Sequence, residues 1–162
     1  MKRTLVLIRH GKAEPSRDGL ADEARQLTCA GRAALEGPDG FTRTFALLAD
    51  DEREGARFWV STATRARQTA EAAAAALGCS DLEERAYLFA QDGEAFLDEL
   101  ESCDARCLVV VGHIPFVERM TEYLCGAQLD FSPGAAAAIE LDEALDACES
   151  KLLWFVQGPR TA

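Results

Sequence analysis

Two histidines occur in the 162 residues, His10 and His113, and each stands where an apolar run ends. His10 follows Thr4-Leu5-Val6-Leu7-Ile8-Arg9, and His113 follows Leu108-Val109-Val110-Val111-Gly112. A third run, Phe58-Trp59-Val60, leads through Ser61-Thr62-Ala63-Thr64 to Arg65. Two imidazoles and two guanidiniums, Arg9 and Arg65, thus occupy equivalent positions, with no obvious partner carboxylate. Such a set suits a phosphoryl group. A guanidinium presents a planar fork to phosphate oxygens and keeps its charge. An imidazole attacks phosphorus only when neutral, and nearby positive charge lowers its pKa from about 6.5. Arg9 and Arg65 would therefore neutralise a phosphate and hold His10 uncharged near pH 7. Catalysis would then rest on stabilising the equatorial oxygens and on in-line positioning. Attack would leave a phosphohistidine on the protein, which water hydrolyses.

Positioning these four groups requires an α/β frame. Residues 4–8 are too short for a helix and end at a turn, which predicts a buried strand. Residues 108–111 form a continuous β-branched run, as in a central parallel strand covered on both faces. Residues 58–60 predict a third such strand. Each is followed by a polar residue and then a helix: an Ala-rich one over residues 65–77 stopped by Gly78, and one after Pro115 that runs through Val117, Met120 and Leu124 to Gly126. In a doubly wound sheet the carboxyl ends of parallel strands share one edge, where helix N-termini also favour anions. Elsewhere, residues 13–26 read as a loop, Thr28 as the N-cap of a helix, and Gly37-Pro38-Asp39-Gly40 as its interruption. Phe41, Phe45 and Leu48 share a helical face, and Asp50-Asp51-Glu52 reads as a solvated turn. A short strand is expected around Ala86-Tyr87-Leu88, a helix over residues 92–100 that buries Phe96, Leu97 and Leu100, and two last strands over residues 135–141 and 151–156. No repeat or linker divides the chain, which predicts a single domain over residues 1–162.

Composition narrows the partners. Net charge is -11, from 17 basic and 28 acidic residues, against the basic footprint that nucleic-acid binding needs. An anion site must therefore be a local basic pocket in a repelling field. No segment approaches the about 20 apolar residues that span a bilayer, and the apolar part after Met1-Lys2-Arg3 is too short for a signal peptide. These features predict a cytoplasmic protein with no nucleic-acid or membrane partner. Six scattered cysteines without a CxxC predict small core thiols, and Cys103 with Cys107 makes only a weak metal half-site.

Leu7-Ile8-Arg9-His10-Gly11 resembles the RHG motif of the histidine phosphatase superfamily, the phosphoglycerate-mutase-like proteins. Arg65-Ala66-Arg67-Gln68-Thr69-Ala70 resembles its second phosphate-binding segment, and Gly112-His113 its second histidine. The short SixA-type phosphohistidine phosphatases are more similar still. Arg9-His10-Gly11-Lys12-Ala13-Glu14-Pro15, Asp22…Arg25-Gln26-Leu27-Thr28…Gly31, Arg65 through Glu71, and Gly112-His113-Ile114-Pro115 follow their pattern in order over most of the chain. A lone RHG would carry little weight; the ordered set carries much. The resemblance implies a three-layer αβα sandwich with a mostly parallel central sheet and no metal or organic cofactor. It implies His10 as the phosphorylated nucleophile, Arg9 and Arg65 as phosphate ligands, and His113 as a partner that binds phosphate or assists proton transfer. Two departures stand out. Ser61-Thr62 replaces the usual Ser-Pro before the second arginine, and Gly37 to Gly40 breaks a helix.

The general acid is not legible: Asp81, Glu83 and Glu84 lie in a suitable region, but nothing selects among them. An imidazole leaving group needs less protonation than an alkoxide, and a short chain leaves little for a lid. Both points favour phosphohistidine in a protein over a small phosphate ester. The alternatives are a small-molecule phosphomonoester phosphatase or mutase of the same superfamily, and a non-catalytic phosphate-binding module. Other residues have plainer readings. Arg67 reads as a structural ion pair, Lys12 and Ser16 as weak substrate contacts, and Trp59 and Trp154 as core. Arg65 near a helix start opposes the helix dipole, a local cost that points to function.

Overall fold

Leu5, Val6, Leu7 and Ile8 are wholly buried in strand β1 (Thr4–Arg9), which a computed structural model of residues 2–161 places inside a six-stranded sheet. After β1 the chain forms helices α1 (Cys29–Glu36), α2 (Phe41–Phe45) and α3 (Asp50–Glu54), strand β2 (Ala56–Val60) and the long helix α4 (Thr64–Leu77). It continues through β3 (Glu83–Glu84), α5 (Ala86–Phe89), α6 (Gly93–Ser102), β4 (Cys107–Gly112), α7 (Phe116–Cys125), β5 (Ala136–Glu140) and β6 (Lys151–Val156). The strand order is β3-β2-β4-β1-β5-β6. β3, β2, β4 and β1 are mutually parallel, whereas β5 runs antiparallel to both of its neighbours. The mostly parallel sheet expected from the buried strands is what forms.

The period-two alternation of the strands sorts their side chains into two cores. Val6, Ile8, Phe58, Val60, Val109 and Val111 face Leu35, Phe41, Phe45 and the alanines of α4. Leu5, Leu7, Trp59, Leu108 and Val110 face Phe96, Leu100, Phe116 and Leu124 on α6 and α7. Helices therefore cover both faces, giving three layers. Each fully buried aliphatic or aromatic side chain contributes about 1.5–3 kcal/mol. Ala66, Ala70 and Ala73 are fully buried, so α4 lies close against the sheet. Gly78 ends α4 in the left-handed conformation at φ 69°, as its position predicts. Thr28 caps α1 by accepting a hydrogen bond from the Gly31 N–H at 2.9 Å.

Four expectations need correction. The run Asp50-Asp51-Glu52 is the first turn of α3, not a solvated turn: Glu52 is buried, accepts from the Ala49 N–H at 2.9 Å and faces Arg106 at 3.6 Å. Acidic residues suit that end of a helix dipole. The short strand lies at Glu83–Glu84, and Ala86 to Phe89 is helical instead. There Leu88 enters the core while Arg85 and Tyr87 both bind Glu99. The loop over residues 13–26 carries a 3-10 turn at Asp22–Ala24, and its ends are joined by a bridge between Ala13 and Leu27. Of the cysteines, Cys103 and Cys107 are core thiols, but Cys29 and Cys148 are exposed. No helix among the described residues is long and apolar enough to cross a membrane.

The break between α1 and α2 depends on one glycine. A Cβ at Gly40 would lie 2.0 Å from the Leu35 carbonyl oxygen, whereas one at Gly37 meets nothing closer than 3.4 Å. Gly40→Ala is expected to destabilise the fold by about 2 kcal/mol or more, as forced overpacking does. Gly37→Ala should stay within about 0.5 kcal/mol of the parent. Urea unfolding midpoints at constant m-value distinguish the two.

Candidate active site

Sheet register brings the polar ends together. Arg9 of β1 stands opposite Gly112 of β4, and Val60 of β2 opposite Val111. The ladder extends one residue past each strand: the His10 N–H donates to the Gly112 carbonyl and the Ser61 N–H to the Val111 carbonyl, both at 3.0 Å. His10, Ser61 and His113 therefore leave the sheet side by side. Arg65 is the second residue of α4, so its side chain returns to the same edge. The structure thus gathers all four residues singled out by type and spacing.

The two imidazole rings are 5.2 Å apart at their centroids, edge to face, and both are buried. His10 Nδ1 lies 2.7 Å from the Gly11 carbonyl oxygen. A carbonyl only accepts, so Nδ1 carries the hydrogen and the neutral ring has its lone pair on Nε2. Arg65 Nε lies 3.4 Å from that nitrogen. Thr69 braces the arrangement: its hydroxyl accepts from the Gly11 N–H at 3.0 Å and donates to the Arg65 carbonyl at 2.8 Å. Arg9 is anchored through Nη1 to the Phe131 carbonyl at 2.9 Å. Its buried Nε has no hydrogen-bond partner among the described residues. Arg9, His10, Arg65 and His113 line a cavity of about 460 Å³.

Four further residues shape the site, and residue type and spacing did not single them out. Ser61 is fully buried, with Oγ 2.7 Å from His113 Nε2 and accepting from the Ala63 N–H at 3.2 Å. It holds the ring of His113. Gln91, at φ 58°, clips the segment after His113: its Nε2 donates to the Ile114 carbonyl at 3.2 Å and its Oε1 accepts from the Phe116 N–H at 2.9 Å. Asp22 and Arg25 come from the loop over residues 13–26 and line the cavity. Arg65 donates through Nη2 to Asp22 Oδ2 at 3.1 Å and through Nη1 to the Asp22 carbonyl at 2.7 Å, and Arg25 Nε reaches Asp22 Oδ1 at 2.9 Å. The expectation of no partner carboxylate is therefore corrected. Two signals were available: the Asp-x-x-Arg spacing, which an exposed ion pair shows equally, and the place of Asp22…Arg25 in the SixA-type pattern, which gave neither residue a role.

Lys12 lines the cavity, but Ser16, Asp81, Glu83 and Glu84 do not. Glu83 is engaged by Arg57 and Arg85, and Glu84 pairs with Arg67. Trp59 is core, and Trp154 is half-buried.

Burial is the main cause that lowers the His10 pKa to about 3; the bond to Gly11 opposes it, and His113, Arg65 and Arg9 add to it. Burial likewise lowers His113 to about 4, aided by Arg65. Arg9 is held below its usual value by burial, against the pull of Glu118. The hydrogen bond from Arg25, with that from Arg65, keeps the Asp22 carboxyl below the ordinary carboxylate range despite slight desolvation. The cavity thus combines neutral imidazoles, fixed cations and one ionised carboxylate already bound to two arginines.

No protein-family model matches the chain, and no curated protein matches it. Solved structures do. The protein histidine phosphatase SixA complexed with tungstate is similar with a TM-score of 0.77 and 24% identity, over 95% of this chain and 96% of that one. A SixA from Agrobacterium tumefaciens, named provisionally as a phosphohistidine phosphatase, is similar with a TM-score of 0.72 and 25% identity over 95% and 97%. A mycobacterial glucosyl-3-phosphoglycerate phosphatase is similar with a TM-score of 0.68 and 13% identity over 99% and 100%. These neighbours are SixA phosphohistidine phosphatases and other members of the histidine phosphatase superfamily. The likeness gives this chain the phosphoglycerate-mutase-like fold that its motifs implied.

Because His10 and His113 sit near 3 and 4, the acid limb of kcat/KM should fall below pH 5, not near 6.5, once substrate ionisation is corrected. In the same window only the unfolded chain takes up these protons, so stability should decline as pH drops from 6.5 toward 3. Ser61→Ala should lower kcat/KM by about 10-fold, the worth of one buried hydrogen bond. It should also shift the His113 Nε2 resonance in nitrogen-15 spectra without a matching change at His10.

Proposed function

We propose that this chain is a histidine phosphatase that hydrolyses phosphohistidine in proteins. The observation that carries the reading is the His10 Nε2 lone pair, exposed by the ring's tautomer and kept unprotonated by burial, beside a cavity shared with Arg9, Arg65 and His113. In the first step Nε2 would form a bond to phosphorus as the bond to the substrate's imidazole nitrogen breaks. That nitrogen keeps the electron pair and takes a proton from water. In the second step water attacks phosphorus as the P–Nε2 bond breaks, the electron pair returns to His10 Nε2, and inorganic phosphate leaves. Arg9 and Arg65 would stabilise the equatorial oxygens, and His113 would hold phosphate or relay the proton of the attacking water. No metal or organic cofactor takes part in these steps.

The lining residues favour a nitrogen leaving group. Asp22 is the sole carboxylate lining the cavity among the described residues, and two arginines keep it ionised. It has no proton to give an alkoxide. An imidazole leaves with less help, so a phosphoramidate suits the site better than a phosphate ester. A neighbour with the same fold acts, by its name, on a glycerate-type phosphate ester, which keeps a small-ester phosphatase as the second reading.

Mixing the protein with phosphoramidate should place acid-labile, alkali-stable phosphate on the chain. His10→Ala should abolish that label and cut turnover by at least about 10³-fold, as removal of a nucleophile does. In a substrate panel a phosphohistidine peptide should outpace sugar and glycerate phosphates. The reverse order would assign the site to small esters, and label on His10→Ala would assign the nucleophile elsewhere.

A further inference from the structure

A second cavity of about 500 Å³ adjoins the phosphoryl cavity and shares Gly11, Lys12 and Pro133 with it. One wall is α1, through Gly31 and Leu35; the other is the C-terminal segment from Gln157 to Thr161. That segment is pinned. Ser132 N–H donates to Gln157 Oε1 at 2.9 Å, Gln157 Nε2 donates to the Asp130 carbonyl at 2.8 Å, and Gly158 N–H donates to Ser132 Oγ at 2.9 Å. A Cβ at Gly158 would lie 1.8 Å from the Pro133 carbonyl oxygen, so the two backbones are in contact there. The far wall is therefore part of the fold, not a loose tail.

Its chemistry is unusual for this molecule. The protein carries 28 acidic and 17 basic residues, yet among the described residues the charged ones lining this cavity are Lys12 and Arg160, both cationic. The two adjoining cavities carry Arg9, Lys12, Arg25, Arg65 and Arg160 and, among the described residues, one carboxylate, Asp22, already bound to two arginines. Between the cations lie the apolar surfaces of Leu35, Pro133 and Pro159. A small phosphate ester bound at His10 has no need of the second cavity. An extended chain uses both: backbone and small side chains against the prolines, and a carboxylate between the flexible cationic ends.

We propose that the second cavity is a subsite for the polypeptide adjoining the phosphorylated residue, and that Lys12 and Arg160 select an acidic side chain there. The proposal rests on the phosphohistidine reading for its substrate. Exposed charges of this kind set specificity and encounter rate more than raw affinity, and salt screens them.

The test uses the full chain and two pairs of peptides centred on histidine, one pair flanked by Asp and Glu and the other by Asn and Gln. Phosphorylated forms report turnover, and fluorescently labelled unphosphorylated forms report binding by anisotropy. Phosphoramidate serves as the minimal substrate. Wild type should prefer the acidic phosphopeptide through KM, and the preference should shrink at high salt. Arg160→Ala should reduce it by about 3-fold, within the range of one exposed ion pair. Arg160→Glu should reduce it by about 10-fold through like-charge repulsion. Phosphoramidate turnover should not change in either variant. Anisotropy should show the same order for the unphosphorylated pair. Equal binding of acidic and neutral peptides, or a preference that survives Arg160→Glu, would overturn the subsite. So would a variant effect confined to small esters that bear a second carboxylate. Absent turnover of phosphoramidate with acidic-peptide binding intact would sink the phosphohistidine reading alone and leave the groove standing as an acidic-peptide site.

Discussion

One hydrogen bond decides which face of His10 is reactive. The Gly11 carbonyl, one residue along the same chain, accepts a hydrogen bond from Nδ1–H and leaves the Nε2 lone pair toward Arg65 and the cavity. The rest of the site makes sense only around that choice. With the proton on Nε2, the arginines would face a donor and the ring could not attack phosphorus. Thr69 ties the same residue, Gly11, to helix α4, so the backbone that fixes the tautomer and the helix turn that carries Arg65 are held by one side chain. Tautomer and charge placement are thereby coupled through packing.

A cationic cup in a protein of net charge -11 also needs local compensation while no anion is bound. Asp22 supplies it. Its carboxylate and backbone carbonyl occupy the donors of Arg65, and Arg25 braces it from the loop side. A phosphoryl group entering the cup competes with Asp22 for those donors. Arg9 contrasts with this: it is fixed to a backbone carbonyl and keeps its Nε unpaired and buried. One arginine is held by a carboxylate on a loop and the other by a backbone carbonyl of the frame.

The frame itself is simple. Two cores on opposite faces of a sheet lock the strand register, since a slip of one residue would expose a buried face. That register, and nothing near the site, makes β1, β2 and β4 end level. The histidines meet because residues far away in the strands are apolar on alternate faces.

The sequence alone determined the two histidines, Arg9 and Arg65, the strands that carry them, and the helices that follow, because apolar runs, breakers and residue types are local properties. It also pointed to the fold through ordered motifs. Ser61, Gln91, Asp22 and Arg25 were decided only in three dimensions. Ser61, Gln91 and Asp22 act through contacts across tens of residues, and Arg25 acts by bracing Asp22, so no local pattern assigns their roles. The same holds for Glu52, whose acidic run looks like solvent-facing turn until Arg106 is packed against it. The tautomer of His10, the depression of its pKa and the carboxylate that guards Arg65 depend on distance and burial, and those are set only when the two cores close around the sheet.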